Sequence, residues 1–95
     1  MHIVNSPRFQ VELESIVEFI AEESPQNALN FLDRLIEHLR QIQEHPYSGR
    51  LRKNRSPYPV RELIHEGYTI PYMIDHQEKR IVLLGIFNRN LWNES

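Results

Sequence analysis

Two Ser-Pro pairs constrain the fold of this chain more than any other feature. Ser6–Pro7 and Ser24–Pro25 each place a favoured N-cap residue before a proline at the first helical position, where a missing N–H costs nothing. Apolar residues at helical spacing follow each pair: Phe9, Leu13, Ile16, Val17 and Ile20 after the first, and Ala28, Leu29, Leu32, Leu35, Ile36, Leu39 and Ile42 after the second. The pattern predicts one helix ending near Glu23 and a second ending before Pro46. Because only one or two residues join them, they should form an antiparallel hairpin.

The apolar stripes of these helices must cover something flat, and the remaining sequence predicts a sheet. We expect strands at 1–5, 60–65, 68–75 and 80–88, with a loop at 46–57. The run "IVLLGIF" is typical of a central strand buried on both faces. Pro71 cannot donate to a strand ladder, so its strand should lie at an edge there or carry a bulge. The predicted fold is α+β, in the order β-α-α-β-β-β, with the helical hairpin on one face of a small, mostly antiparallel sheet.

Length and composition limit the class of protein. The 95 residues make a single domain, 1–95, with one modest core. The chain has no cysteine, which excludes thiol chemistry and fits a reducing compartment. No apolar run approaches the roughly 20 residues that span a bilayer, and the N-terminus shows no signal-peptide pattern. We therefore expect a cytoplasmic protein with no membrane partner.

The net charge of −2 conceals an asymmetry along the chain. Residues 1–45 contain eight acids and three bases, whereas residues 46–95 contain eight bases and five acids. Five of the bases lie within twelve residues: Arg50, Arg52, Lys53, Arg55 and Arg61. The basic half suits an acidic partner, although a solvated basic loop would give the same pattern.

Few residues are arranged for catalysis or for a cofactor. The five histidines (His2, His38, His45, His65 and His76) include no pair at the spacing of a helical zinc site, so we interpret them as surface residues and expect no metal. The glycines are scattered, and no phosphate loop or serine nucleophile elbow is present, so we expect no cofactor. The remaining candidates are basic or aromatic and could contact RNA or an acidic protein segment: Arg61, Tyr68, Tyr72, Arg89, Trp92 and the 50–55 stretch. Taken one by one, the tyrosines are better interpreted as half-buried strand residues, and Trp92 as a cover for the sheet edge.

Several strings, in their order and spacing, resemble the RelE/ParE superfamily of bacterial type II toxins over roughly residues 3–92. They are "SPQNALNFL", "HPYSGR", "VREL", "GYTIPYMI" and "IVLLGIFNR". The resemblance implies one of two activities. RelE-like members cut messenger RNA on the ribosome, using a cluster of basic residues and a tyrosine, whereas ParE-like members bind and poison DNA gyrase.

The residues favour the ParE-like branch. Where the nuclease pattern has alternate basic residues on the first hairpin strand, this chain has Val60 and Glu62, and Thr69 stands in place of an arginine. Only Arg89 matches a catalytic position, so it is the single catalytic candidate if the chain is a nuclease. The tail has Trp92 but no tyrosine, and the acidic net charge suits RNA poorly.

The resemblance also implies a cognate antitoxin whose disordered segment folds on the toxin. We expect partner-binding residues at Arg50, Arg52, Lys53, Arg55, Arg61, Tyr68, Arg89 and Trp92. Arg61 should pair with a carboxylate, either within the fold or on a partner. The predicted function is a gyrase-inhibiting toxin. The alternatives are a ribosome-dependent mRNA endoribonuclease and an inactive binding module with the same fold.

Overall fold

A computed structural model describes residues 1–52 and 58–88. In chain order, the described elements are β1 (His2–Asn5), α1 (Pro7–Glu23), α2 (Pro25–Glu44), a 3₁₀ turn (Pro46–Ser48), β2 (Arg50–Arg52), β3 (Val60–His65), β4 (Tyr68–Asp75), β5 (Arg80–Leu83) and β6 (Phe87–Asn88). The predicted α+β order is confirmed, and two short strands, β2 and β6, are added to it.

The helical hairpin forms for the reasons that the sequence suggests. The Ser6 hydroxyl accepts a hydrogen bond from the Phe9 N–H at 3.1 Å, and the Ser24 hydroxyl accepts one from the Asn27 N–H at 3.2 Å. Ser24 is both the C-cap of α1 and the N-cap of α2, so a single residue separates the two helices. This short connection forces the antiparallel arrangement.

The strands form a mixed sheet in the order β1-β5-β4-β3-β2, with β6 also pairing with β4. The β1–β5 pair is parallel and all the other pairs are antiparallel. The core lies between the hairpin and one face of the sheet. It is built from these buried residues: Phe9, Phe31, Leu35, Ile42, Ile70, Tyr72, Ile81, Leu83 and Ile86.

Two predictions for β5 and its extension are wrong. The strand is central, but burial alternates along it, since Ile81 and Leu83 are fully buried while Val82 is only half-buried. A mixed sheet with helices on one face gives this alternation. The predicted strand over 80–88 also stops at Leu83 and resumes at Phe87.

Pro71 lies opposite this interruption. Its carbonyl accepts a hydrogen bond from the Leu84 N–H at 2.8 Å. The N–H and C=O of one strand residue point the same way, so the proline nitrogen faces the partner segment that leaves the ladder at residues 84–86. The Glu12 carboxylate of α1 accepts from the Ile86 N–H at 3.1 Å and satisfies a backbone group that the sheet does not. Pro71 therefore sits inside the sheet, beside a break rather than on an outer edge.

The predicted loop at 46–57 is only partly a loop. Residues 46–48 form a 3₁₀ turn, and Arg50–Arg52 pair antiparallel with β3, with Leu51 opposite Arg61. Three residues with two arginines carry little strand signal of their own, so the pairing depends on the edge that β3 offers. Residues 53–57 lie outside the described part of the chain.

Candidate partner-binding surface

The β3–β4 hairpin sets the register of the candidate site. Its turn uses Glu66 at φ 49° and Gly67 at φ 86°, the left-handed pair that suits a two-residue hairpin. Arg61 then stands opposite Tyr72, and Glu62 stands opposite Pro71. Because side chains alternate between faces, Arg61 and Tyr72 share the helix-covered face, whereas Val60 and Glu62 lie on the other.

Arg61 and Tyr72 together fix the segment that follows α2. The Tyr72 hydroxyl donates to the Pro46 carbonyl at 2.8 Å and accepts from the Gly49 N–H at 3.0 Å. Arg61 Nη1 donates to the carbonyls of Tyr47 at 3.1 Å and Gly49 at 2.9 Å. Burial raises the pKa of the Tyr72 phenol, which keeps it in the protonated form that can donate.

Within the described fold the hydrogen bonds of Arg61 are therefore to the backbone and not to a carboxylate, and a carboxylate on a partner stays a prediction. Its described hydrogen bonds are to uncharged carbonyl oxygens, and its guanidinium carbon lies 5.1 Å from the centre of the Tyr47 ring. Arg61 anchors the backbone while its positive charge remains at the surface beside an aromatic ring. The sequence could not reveal this because the carbonyls belong to a segment that reads as a loop.

The two described arginines of β2 differ in their surroundings. Arg50 is exposed, whereas Arg52 has its Nε 3.9 Å from the Glu62 carboxylate, and both of those side chains are largely covered. Leu51, between them, is 55% exposed. Within the described residues β2 pairs with β3 alone, so it presents a basic sheet edge with one apolar residue.

The other predicted partner-binding residues divide between two groups. Tyr68 is half-buried, and its ring packs edge-on against Phe31 of α2 at a centroid distance of 5.6 Å. It lies at the opposite end of the hairpin from Arg61. Lys53, Arg55, Arg89 and Trp92 lie outside the described residues.

The positions that would carry nuclease chemistry hold unsuitable side chains. Val60 is buried, Glu62 faces Arg52, and Thr69 is only 3% exposed. A carboxylate and two uncharged, buried side chains cannot stabilise the charge on a reacting phosphate. Arg89 and the tail lie beyond the described residues.

A histidine pair, which the sequence did not predict, joins α2 to the hairpin. His65 is fully buried and His38 is half-buried, so the interpretation of these two as surface residues is wrong. Their Nδ1 atoms lie 2.8 Å apart, and His65 Nε2 lies 3.3 Å from the Phe31 carbonyl oxygen. A carbonyl only accepts, so Nε2 of His65 carries its hydrogen and Nδ1 accepts from the His38 Nδ1–H. Sequence spacing gave no signal because the residues come from different elements.

An ion pair extends this link to the hairpin turn. Arg34 of α2 donates through Nε and Nη2 to the Glu66 carboxylate at 2.5 and 2.9 Å. The hydrogen bond from Arg34 lowers the pKa of Glu66. Burial lowers the pKa of His65, and the nearby Glu66 only partly opposes that effect. Among residues 1–52 and 58–88, no three histidines or carboxylates are grouped to hold a metal ion.

A cleft of about 770 Å³ lies at the end of the sheet where β4 turns into β5, and we call it the tyrosine cleft. Its lining includes Tyr47, Tyr58, Arg61, Met73, His76 and Val82. The Tyr47 and His76 rings are stacked, 22° from parallel with centroids 6.1 Å apart. The lining combines apolar, aromatic and cationic side chains, which is the usual composition of a binding pocket.

Comparison with known proteins agrees with this architecture. The family model described as "ParE toxin of type II toxin-antitoxin system, parDE" matches residues 3–90, so the chain belongs to this family of toxins. It is a ParE-like toxin component of a type II toxin-antitoxin system. The fold is similar to a solved structure titled "Chromosomal ParDE TA system from P. aeruginosa", with a TM-score of 0.72 and 22% identity over 93% of this chain and 95% of the other. A search of curated proteins finds no match. Within the described residues, no helix is long and apolar enough to cross a membrane.

Proposed function

We propose that this toxin inhibits DNA gyrase in the cytoplasm, that a cognate antitoxin neutralises it, and that the pair contributes to plasmid stabilisation. The choice of target rests on three sheet positions at which the RelE-like nuclease pattern has basic residues. There Val60, Glu62 and Thr69 replace the cations that RNA cleavage needs. A gyrase poison needs a binding surface rather than an acid–base set.

The antitoxin is supported by family membership and by charge. The related solved structure is titled as a ParDE system, which names both components. On this chain the exposed Arg50 and the sheet edge of β2 suit an acidic segment that adds main-chain hydrogen bonds. Arg52 contributes less accessible charge because it faces Glu62.

The test of the target is induced expression of this chain alone in a bacterial host, with messenger RNA and plasmid topology read from the same culture. We expect growth arrest, intact messenger RNA, and altered supercoiling or DNA breaks. Arrest with codon-phased messenger cleavage would identify a ribosome-dependent nuclease instead. Normal growth would identify an inactive binding module.

The test of the antitoxin is co-purification of this chain with the product of the neighbouring gene. We expect the two to elute together and the Arg50→Glu variant to bind more weakly, most clearly at low salt. Arg8→Glu on α1 is the matched control, because Arg8 is exposed on an acidic helix far from β2 in the chain. If both variants bind like the wild type, β2 is not the contact.

A further inference from the structure

The tyrosine cleft carries a positive charge on a chain that is acidic overall. The described hydrogen bonds of Arg61 go to two neutral carbonyls, and these contacts do not neutralise its charge. His76 is an exposed residue of the lining. The whole chain has a net charge of −2, so this cluster is a local exception.

The acid in the cleft does not cancel this charge, because Asp75 is already paired. Its carboxylate accepts from Arg80 Nε at 3.1 Å and from the Glu78 N–H at 3.2 Å. Within the lining, Asp75 and Arg80 therefore form an ion pair, and Asp75 does not neutralise the second cation, Arg61. An incoming anionic group would meet a cation rather than a carboxylate.

The walls of the cleft favour a flat apolar group beside that anion. Tyr47 is 55% exposed and Tyr58 is 64% exposed, so part of each side chain is accessible besides the contacts that Tyr47 makes with Arg61 and His76. Arg61 lies over the Tyr47 ring, and the apolar part of the lining includes Met73 and Val82. Aromatic side chains stack on such rings and pack against methionine, and they supply much of the energy at protein interfaces.

We propose that the tyrosine cleft binds a segment of the antitoxin that carries an acidic residue next to an aromatic one, an inference that rests on the proposed function. The volume of about 770 Å³ admits a short peptide stretch rather than a folded domain. A nucleic acid fits less well, since each added phosphate would need its own cation and the first 45 residues are predominantly acidic. The antitoxin is the partner because the cleft and β2 are joined through the 46–49 segment, which Arg61 holds.

The experiment is isothermal titration of the neighbouring gene's product into full-length toxin and three variants, at 50 and 300 mM salt. Tyr47→Ala removes an aromatic ring from the lining, and His76→Glu adds a negative charge to it. Gln10→Glu is the control, because Gln10 is exposed on α1, outside the cleft lining, and the change also adds a negative charge. Circular dichroism and thermal unfolding of each variant establish that it is folded before its affinity is compared.

We expect Tyr47→Ala and His76→Glu each to raise Kd about tenfold or more at 50 mM salt, and Gln10→Glu to leave it unchanged. The effect of His76→Glu should shrink at 300 mM salt. A synthetic antitoxin peptide that contains the acidic–aromatic pair should shift the amide resonances of Tyr47 and His76. The same peptide with the aromatic residue changed to Ala should not.

Two results would overturn the inference and leave the proposed function standing. In the first, the variants bind the antitoxin as tightly as the wild type does. In the second, antitoxin affinity is unchanged but growth arrest is lost, which would assign the cleft to the toxin's target. Absence of any association between the wild-type proteins would instead remove the proposed antitoxin and the inference with it.

Discussion

Tyr72 is the residue on which the backbone of the candidate site most depends. Its hydroxyl satisfies both a carbonyl and an N–H of the 46–49 segment, and its ring is fully buried in the core. One side chain thus joins the hydrophobic core to the start of the basic sheet edge.

The Tyr72→Phe variant should be destabilised by about 1–3 kcal/mol, because the change leaves the Pro46 carbonyl and the Gly49 N–H without their partner. Urea unfolding followed by circular dichroism measures the effect. Tyr68→Phe is the control, since the described contact of Tyr68 is made by its ring and not its hydroxyl, and the change should fall within about 0.5 kcal/mol. Equal stability of the two variants would show that water replaces the Tyr72 hydroxyl.

Gly49 is required for space rather than for backbone conformation. Its φ of −68° suits any residue, but a Cβ at this position would collide with the Tyr72 hydroxyl and ring. We expect Gly49→Ala to cost about 1–3 kcal/mol through displacement of Tyr72, measured by the same unfolding experiment. In the Tyr72→Phe background the cost of Gly49→Ala should be smaller, because one of the colliding atoms is gone.

His65 should make the stability of the protein depend on pH. Its pKa is lowered in the folded protein by burial, so the unfolded chain binds the proton more readily. The free energy of unfolding should therefore be greatest above the unfolded pKa of about 6.5, and should fall as the pH drops through that value. The depressed pKa of Glu66 has the same sign but acts at lower pH, where that carboxylate takes up a proton.

Denaturant unfolding between pH 7.5 and 5 tests this dependence. In His65→Leu the slope of stability against pH over that range should decrease, whatever the absolute loss from the substitution. A slope identical to that of the wild type would mean that another group is responsible. Tracking the His65 imidazole by NMR gives the direction of its pKa shift independently.

At the scale of elements, the helical hairpin depends on one residue at its corner. Ser24 ends α1, where its N–H donates to the Ile20 carbonyl at 3.0 Å, and begins α2 through its hydroxyl. Ser24 is both the cap and the corner, because it is the single residue between α1 and α2.

We expect Ser24→Ala to lower stability by about 0.5–2 kcal/mol, since it removes the N-cap hydrogen bond and leaves the first turn of α2 with one more unpaired N–H. Thermal and urea unfolding measure the loss. Ser24→Asp restores an acceptor and should recover most of it. Failure of aspartate to rescue the stability would point to the corner geometry rather than to the cap.

The elements also show where sequence patterns are informative. Both helices and the hairpin strands β3 and β4 have strong periodicity, caps or a turn signal, and their bounds agree with the prediction. β2 and β6 have two or three residues each, too few for periodicity, and they exist because β3 and β4 offer edges. The break after Leu83 combines a proline on one strand with an α1 carboxylate, and neither is visible in the apolar run "IVLLGIF".

At the scale of the molecule, the charge asymmetry of the sequence is only partly a surface property. Arg52 and Arg80 face carboxylates within the fold, and Arg61 donates hydrogen bonds to backbone carbonyls. Of the described predicted basic residues, Arg50 is exposed on β2, and Arg61 presents its charge to the tyrosine cleft. Charge counting identified the basic segment but not the roles of its members.

Local patterns in the sequence were sufficient to predict the helical hairpin, the α+β order and the family of the protein. These depend on local signals, namely caps, apolar periodicity, turn residues and ordered strings that act within a few residues. The hairpin register, the partners of Arg61, the burial of His65 against His38, the sheet pairing of residues 50–52 and the tyrosine cleft became visible in the folded protein alone. Each of these joins residues that are distant in the chain, and their contacts depend on how helices and strands pack, which no single stretch of sequence encodes.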